Sequence, residues 1–180
     1  MKEIPLTDEE KLFLKHSNYI ENEPGFGDAF DDAARAWHDM RGRPELHARD
    51  ILLCHAQLMR TRTSIPDAAK GAWTTVQTGI YAGGLKIRQN PAPIAVPNLI
   101  EAWVQQINRS LFAQAGFPDP DEKEEVAIGY HVSFEQIHPF QDGNGRVGRI
   151  LYNWHRLRLG LPIHVITLKE VNAYYRWFRK

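Results

Sequence analysis

The sequence predicts a mainly α-helical bundle with one short β-hairpin. Apolar residues recur at helical spacing behind recognisable caps, and Pro/Gly clusters at 24–27, 42–44, 91–97 and 116–120 fall like loops between short helices. Only residues 73–90 are rich in strand formers. The 180 residues are 43% hydrophobic, 24% charged and 11% aromatic, which suits one compact domain, and no internal repeat or Gly/Ser linker divides them.

Taken in order, Thr7 and Glu10 form a capping box, and Leu12, Phe13, His16, Tyr19 and Ile20 continue a first helix over about 8–22. Two amphipathic helices follow, around 28–40 and 45–60, separated by Gly42 and Pro44. Val76, Ile80, Tyr81, Leu85 and Ile87 flank Gly83-Gly84, a pair suited to a tight hairpin turn. Pro97-Asn98 offers a stop and cap for a helix over about 99–114. Further helices are expected over 121–137 and 146–159, the latter stopped by Gly160 and Pro162. Thr167 and Glu170 form a second capping box that starts a last helix running to the chain end.

Lys+Arg and Asp+Glu both number 22, so no global field favours nucleic acid or an acidic membrane. The charge is uneven: residues 138–180 hold eight basic against two acidic residues, a local excess of +6. No aromatic stripe interleaves those charges, and nucleic-acid binding is not expected. A single cysteine, Cys54 in an apolar run, excludes an internal disulfide and fits a reducing compartment. The acidic, weakly apolar start is unlike a signal peptide, and no apolar run reaches the roughly 20 residues of a membrane-spanning helix. The expected location is the cytoplasm, with no membrane partner. His131 and His138 lack a third ligand at fixed spacing, so zinc is not expected, and His55 reads as a core histidine.

The segment from His138 to Arg149 carries the chemistry. Gly143, Gly145 and Gly148 spell a dinucleotide fingerprint, but a helical pattern precedes them where a strand is required. A phosphate loop would need a lysine and a Ser/Thr where Arg149-Ile150 stand, and a calcium loop starting at Asp142 would need an oxygen ligand where Arg146 stands and a glutamate where Asn153 stands. What remains is a glycine-rich turn at a helix N-terminus, whose backbone N–H groups and dipole form a phosphate cradle. Arg146 and Arg149 leave one face of that helix and can grip further phosphates. Asp142 is a hard oxygen ligand suited to Mg2+. His138 titrates near neutrality and is a natural general base for a hydroxyl attacking phosphorus.

Residues 138–149 resemble the H-x-F-x-(D/E)-G-N-G-R-x-x-R signature of the Fic family of protein adenylyltransferases, whose fold is a helical bundle with a β-hairpin flap. The resemblance implies transfer of AMP from Mg-ATP to a Ser, Thr or Tyr of a target protein, with release of pyrophosphate. It implies that His138 is the base, Phe140 anchors the loop and Asp142 binds magnesium. Gly143, Asn144 and Gly145 then cradle the α-phosphate, Arg146 holds the β-phosphate and Arg149 orients the γ-phosphate. Tyr174 and Tyr175 resemble a pair that lines the adenine pocket, and Asn153, one turn beyond Arg149, is a further candidate for ordering the loop or the nucleotide. The target protein is expected to dock at the flap.

Ser17-Asn18-Tyr19-Ile20-Glu21-Asn22 matches the (S/T)-x-x-x-E-(G/N) inhibitory motif of the same family. Ser17 and Glu21 are one turn apart, and the resemblance assigns Arg149 as the partner of Glu21. Residues 1–24 are thus expected to be an inhibitory region and 25–180 the Fic core. Other chemistry on the same cradle (AMP removal, or transfer of UMP, phosphate or phosphocholine) and a nucleotide-responsive module without turnover remain alternatives. The sequence leaves homo-oligomerisation open.

Overall fold

The computed structural model describes residues 4–82, 85–112 and 119–178. Its α-helices are α1 (Asp8–Ile20), α2 (Gly27–Arg41), α3 (Ala48–Leu58), α4 (Val96–Phe112), α5 (Pro120–Ile137), α6 (Asn144–Arg158) and the short α7 (Val171–Tyr174), followed by a 3-10 turn at Tyr175–Phe178. The described strands are β1 (Gly79–Ala82) and β2 (Leu85–Gln89), an antiparallel pair that matches Gly79 with Gln89 and bulges between Ile80 and Tyr81. The Gly83-Gly84 turn lies outside the described residues.

α6 is the axis of the bundle, with α5, α2, α3 and α1 packed around it. Twelve of its residues are buried, although many are polar. That is tolerable because several of the buried polar groups on it find partners. Trp154 Nε1 donates to the Arg43 carbonyl at 3.0 Å, His155 Nε2 meets Ser110 Oγ at 2.9 Å, and Arg156 Nε donates to the Pro162 carbonyl at 2.9 Å. Phe13, Trp37, Ile51, Ile100, Phe134, Phe140, Ile150 and Trp154 fill the space between helices. Phe13 and Trp37 meet edge to face at 5.4 Å, which seats α1 on α2.

The Thr7–Glu10 capping box forms as expected. α1 stops at Ile20, so Glu21 is its C-cap and Asn22 takes a left-handed φ of 58°. A 3-10 turn at Pro93–Ala95 runs directly into α4, so Pro97 and Asn98 lie in its first turn and do not cap it. The final helix is shorter than the sequence suggests. Glu170 accepts from the Thr167 N–H and hydroxyl but the Thr167 hydroxyl caps nothing in return, and helix begins only at Val171.

Three buried histidines stitch this core as neutral rings. Burial pushes His55 down to about 4 and His131 and His155 down to about 3. Their folded values lie below the unfolded value, so their contribution to stability is complete above about 6.5 and is lost as pH falls, at about 1.4 kcal/mol per pH unit for each ring. The urea midpoint is therefore expected to drop between pH 7 and pH 5. Equal midpoints would show that the rings do not stay neutral in the fold.

Candidate active site

The loop between α5 and α6 is tied down before any ligand arrives. His138 caps α5 in a left-handed conformation, φ 52° and ψ 60°, and Gly143 (φ 79°) precedes α6. A non-glycine residue at positive φ persists only where its surroundings over-determine it. Here the Asn144 side chain does so from both ends, accepting from Phe140 N and donating to Phe140 O at 2.9 Å each. The Phe140 ring is fully buried and stacks on His55 at 3.8 Å, with Trp73 beyond it. Gly71 N donates to His55 Nδ1, which leaves His55 Nε2 to donate to the Asp142 carbonyl at 3.0 Å.

This arrangement presents the first N–H groups of α6, on Asn144, Gly145 and Arg146, without intrahelical partners. Arg146 is buried beside them. One of its terminal nitrogens touches Met59 Sδ at 3.1 Å, and its Nε has no partner. A buried guanidinium nitrogen without an acceptor is a place for an anion.

Arg149, 2% exposed, is fully engaged. Its Nε donates to Ser17 Oγ at 3.0 Å, and Nη2 donates to the Ser17 carbonyl at 2.9 Å and to Glu21 Oε1 at 2.8 Å. Nη1 reaches the Tyr174 hydroxyl at 3.4 Å. Burial disfavours the charge, but Tyr174 and Glu21 outweigh burial and hold the guanidinium firmly protonated. The Glu21 carboxylate rests on the N-terminus of α6 itself. A Cβ on Gly145 would stand 2.2 Å from Glu21 Oε1, so this close approach requires glycine.

His138 is half-buried. Burial keeps its imidazole below the ordinary value, while a hydrogen bond to the Glu135 carbonyl orients the ring. Burial would raise the Asp142 carboxyl, but Ser64 Oγ at 2.7 Å, Gly143 N at 2.6 Å, Arg146 and Arg62 together hold it below the usual carboxylate range. Asp142 is thus ionised near neutrality. Among the described residues no group of three His, Cys, Asp or Glu could hold a metal by itself. One ionised carboxylate beside a phosphate cradle is the donor set magnesium uses when phosphates complete its shell.

The structure brings His138, Asp142, Gly143, Asn144, Gly145, Arg146, Arg149, Ser17 and Glu21 together around the N-terminus of α6. Asn22 supplies the left-handed turn after Glu21. Tyr174 belongs to the group through Arg149 and His131, whose Nε2 lies 2.9 Å from its hydroxyl, and the ring of the 44% exposed Tyr175 lies 5.3 Å from that of Tyr174. Asn153 is elsewhere: its amide donates to the His164 carbonyl and accepts from His164 N at 2.8 Å, so it ties α6 to the chain after it and does not reach the cradle. Sequence reading missed Met59, Ser64, Arg62 and Glu23, the last two joined by an ion pair beside the cradle. These residues come from the end of α3 and the turn after α1, and no spacing rule links them to the motif.

A helical bundle whose central helix offers its N-terminus, two buried arginines and a histidine held below its ordinary value is an arrangement that suits a phosphate group. Comparison with known proteins agrees. Residues 45–155 match the model of the Fic/DOC family. A protein adenylyltransferase Fic of Drosophila virilis is 39% identical over 136 residues, 75% of this chain and 25% of that protein. A Fic domain-containing signaling protein of Bacteroides thetaiotaomicron superposes with a TM-score of 0.77 at 20% identity, over 94% of this chain and 70% of its own. The BepC protein of Bartonella tribocorum, solved with bound AMPPNP, superposes at 0.54 and 15% identity over 87% and 76%. The chain belongs to the Fic/DOC family. It spans about a quarter or less of the length of the curated relatives it matches.

The turn that carries Glu21 is held by Asn18, which is fully buried. Its side-chain Nδ2 donates to the carbonyls of Pro24 at 2.9 Å and Ala29 at 3.2 Å, and its backbone carbonyl accepts from the N–H groups of Glu21 and Glu23. Asn18→Ala is expected to cost about 1–3 kcal/mol of stability and to speed amide exchange at Glu21 and Glu23 selectively. Unchanged exchange at those two amides would show that Asn18 does not hold the turn.

Proposed function

We propose that this chain is an autoinhibited protein adenylyltransferase, which transfers AMP from ATP to a Ser, Thr or Tyr hydroxyl of a target protein and releases pyrophosphate. One observation carries the reading: Glu21 lies over the N-terminus of α6 and on Arg149, the place and partner a nucleotide phosphate would take. In this reading residues 1–24 are the inhibitory region and 25–180 the catalytic core. The adenylyltransferase names of its relatives support the reaction, and the AMPPNP in the BepC structure supports an adenine nucleotide as ligand. The flap strands β1 and β2 would dock the target segment along an open edge. The single, buried Cys54 suits the cytoplasm, and among the described residues no helix is long and apolar enough to cross a membrane.

The chain's own residues would act as follows. The Asn144, Gly145 and Arg146 N–H groups receive the α-phosphate, and the unpartnered Arg146 Nε receives the next oxygen along the chain of phosphates. His138 uses one ring nitrogen to hold the Glu135 carbonyl, so the other keeps a lone pair for the target's hydroxyl proton. As the hydroxyl oxygen bonds to the α-phosphorus, the bond to pyrophosphate breaks and the proton passes to His138. The charge that develops on pyrophosphate falls beside Arg146 and, once Glu21 has withdrawn, Arg149. Asp142 would hold magnesium, which supplies positive charge between phosphates. Tyr175 and the aromatic group around Tyr174 are the surface on which the base would rest.

The reading is tested by incubating wild type, Glu21→Gly and Glu21→Gly/His138→Ala with magnesium and α-labelled ATP, alone and with cell lysate. Label on protein should rise at least about tenfold with Glu21→Gly, corresponding to about 1.4 kcal/mol of relieved inhibition, and vanish when His138 is removed. Binding of ATP with no label from any variant would overturn adenylyl transfer and leave the other Fic-type reactions or a binding role.

A further inference from the structure

The contact between α5 and α6 holds a carboxyl for which the reaction above has no use. Glu135 lies one turn before His138, and although the residue is half-buried, its Oε1 is sealed from solvent and has no hydrogen-bond partner. It enters the space left by Gly148, where a Cβ would stand 2.2 Å from that oxygen. A sealed carboxyl oxygen without a donor is costly and calls for an explanation.

The groups facing it come from every neighbouring element. Arg149 approaches from α6, Glu21 from the end of α1, His131 from its own helix, and Tyr174 and Tyr175 from the terminal turns, while His138 at the helix cap holds the Glu135 backbone carbonyl. Arg88 of β2 donates to the Glu135 carbonyl at 3.3 Å, and its Nε is itself buried without a partner. Burial, reinforced by the negative charge of Glu21, outweighs the two arginines and pushes the carboxyl up to about 7.

Among the described residues, Glu21 is the one carboxylate paired with Arg149. A buried guanidinium deprived of its counter-ion is strongly unfavourable. When the turn after α1 withdraws, Glu135 is the carboxyl already inside the site, and it is freed at the same moment from the repulsion of Glu21. Resting on the reading of this site as an inhibited ATP site, we propose that Glu135 is a positioning residue that gives up its proton to hold Arg149 when Glu21 leaves, and takes the proton back when the terminal phosphate of ATP claims that arginine. One negative charge then faces Arg149 in every state. Nucleotide binding to the released protein is coupled to uptake of a proton by a group that touches neither the reacting phosphorus nor the target hydroxyl.

The test is calorimetry of a non-hydrolysable ATP analogue with magnesium, near neutral pH, in two buffers of different ionisation enthalpy, on Glu21→Gly and Glu21→Gly/Glu135→Gln. The expected result is proton uptake by the first protein that is lost in the second, and no such difference with ADP, which lacks the terminal phosphate. Equal uptake by both proteins would overturn the role of Glu135 while leaving the ATP site intact. Failure of both to bind the analogue would overturn the ATP reading and the proposal with it. A second measurement needs no change at Glu135: carbon-13 titration of glutamate side chains should show one carboxyl with a midpoint near 7 in the wild type that moves to lower pH in Glu21→Gly. A midpoint that stays in place contradicts the exchange of counter-ions.

Discussion

A charged guanidinium buried to 2% exposure has to be surrounded by acceptors, and most of the site can be read as the means by which Arg149 finds them. Ser17 contributes a hydroxyl and a carbonyl, Glu21 a carboxylate and Tyr174 a hydroxyl. Those groups come from α1, its C-cap and α7, and they stand 132, 128 and 25 positions from the arginine in sequence. The ion pair is thus also a tertiary clamp. It fixes where α1 and the terminal turns lie on α6, and under the proposed function the same clamp would decide whether the arginine is available to a phosphate.

Two glycines make the clamp possible for different reasons. Gly145 has no side chain because Glu21 descends onto the helix N-terminus there, and Gly148, one turn further along, has none because Glu135 occupies the space. α6 therefore meets a carboxyl on two successive turns, one from outside the core and one from within it. The helix dipole favours the first and burial penalises the second, which is why a Glu21 carboxylate suits its position while the Glu135 carboxyl holds its proton near neutrality. Asn144 and Asn18 do matching work on the two sides of the ion pair. Each uses a buried side-chain amide to fix the turn, one that presents the cradle and one that presents Glu21.

The fold was legible where local chemistry decides it. The capping box at Thr7, the stops at Gly160 and Pro162 and the strand-forming run before Gln89 place α1, α6 and the hairpin within a few residues. The ends went astray where tertiary structure takes over: the 3-10 turn at Pro93–Ala95 feeds α4 earlier than Pro97-Asn98 suggests, and Glu170 binds Thr167 without completing a capping box. In the site, the contiguous run from His138 to Arg149 was readable because helix and loop geometry keep neighbours in sequence near one another. The pairing of Glu21 with Arg149 came from a family resemblance, since 128 residues separate them and no periodicity connects the two. Ser64, Met59, Arg62 and Glu135 were invisible for the same reason, and Asn153 misled because its position on α6 faces His164, away from the cradle.

The central claim is that Glu21 and Ser17 withhold Arg149 from the nucleotide. The most direct measurement is a pair of crystal structures, wild type and Glu21→Gly, each with magnesium and a non-hydrolysable ATP analogue. The guanidinium should remain on Ser17 and Glu21 in the wild type, with the terminal phosphate turned away, and should sit on that phosphate in Glu21→Gly. A wild-type complex in which Arg149 already grips the terminal phosphate while Glu21 stays on the N-terminus of α6 would contradict it.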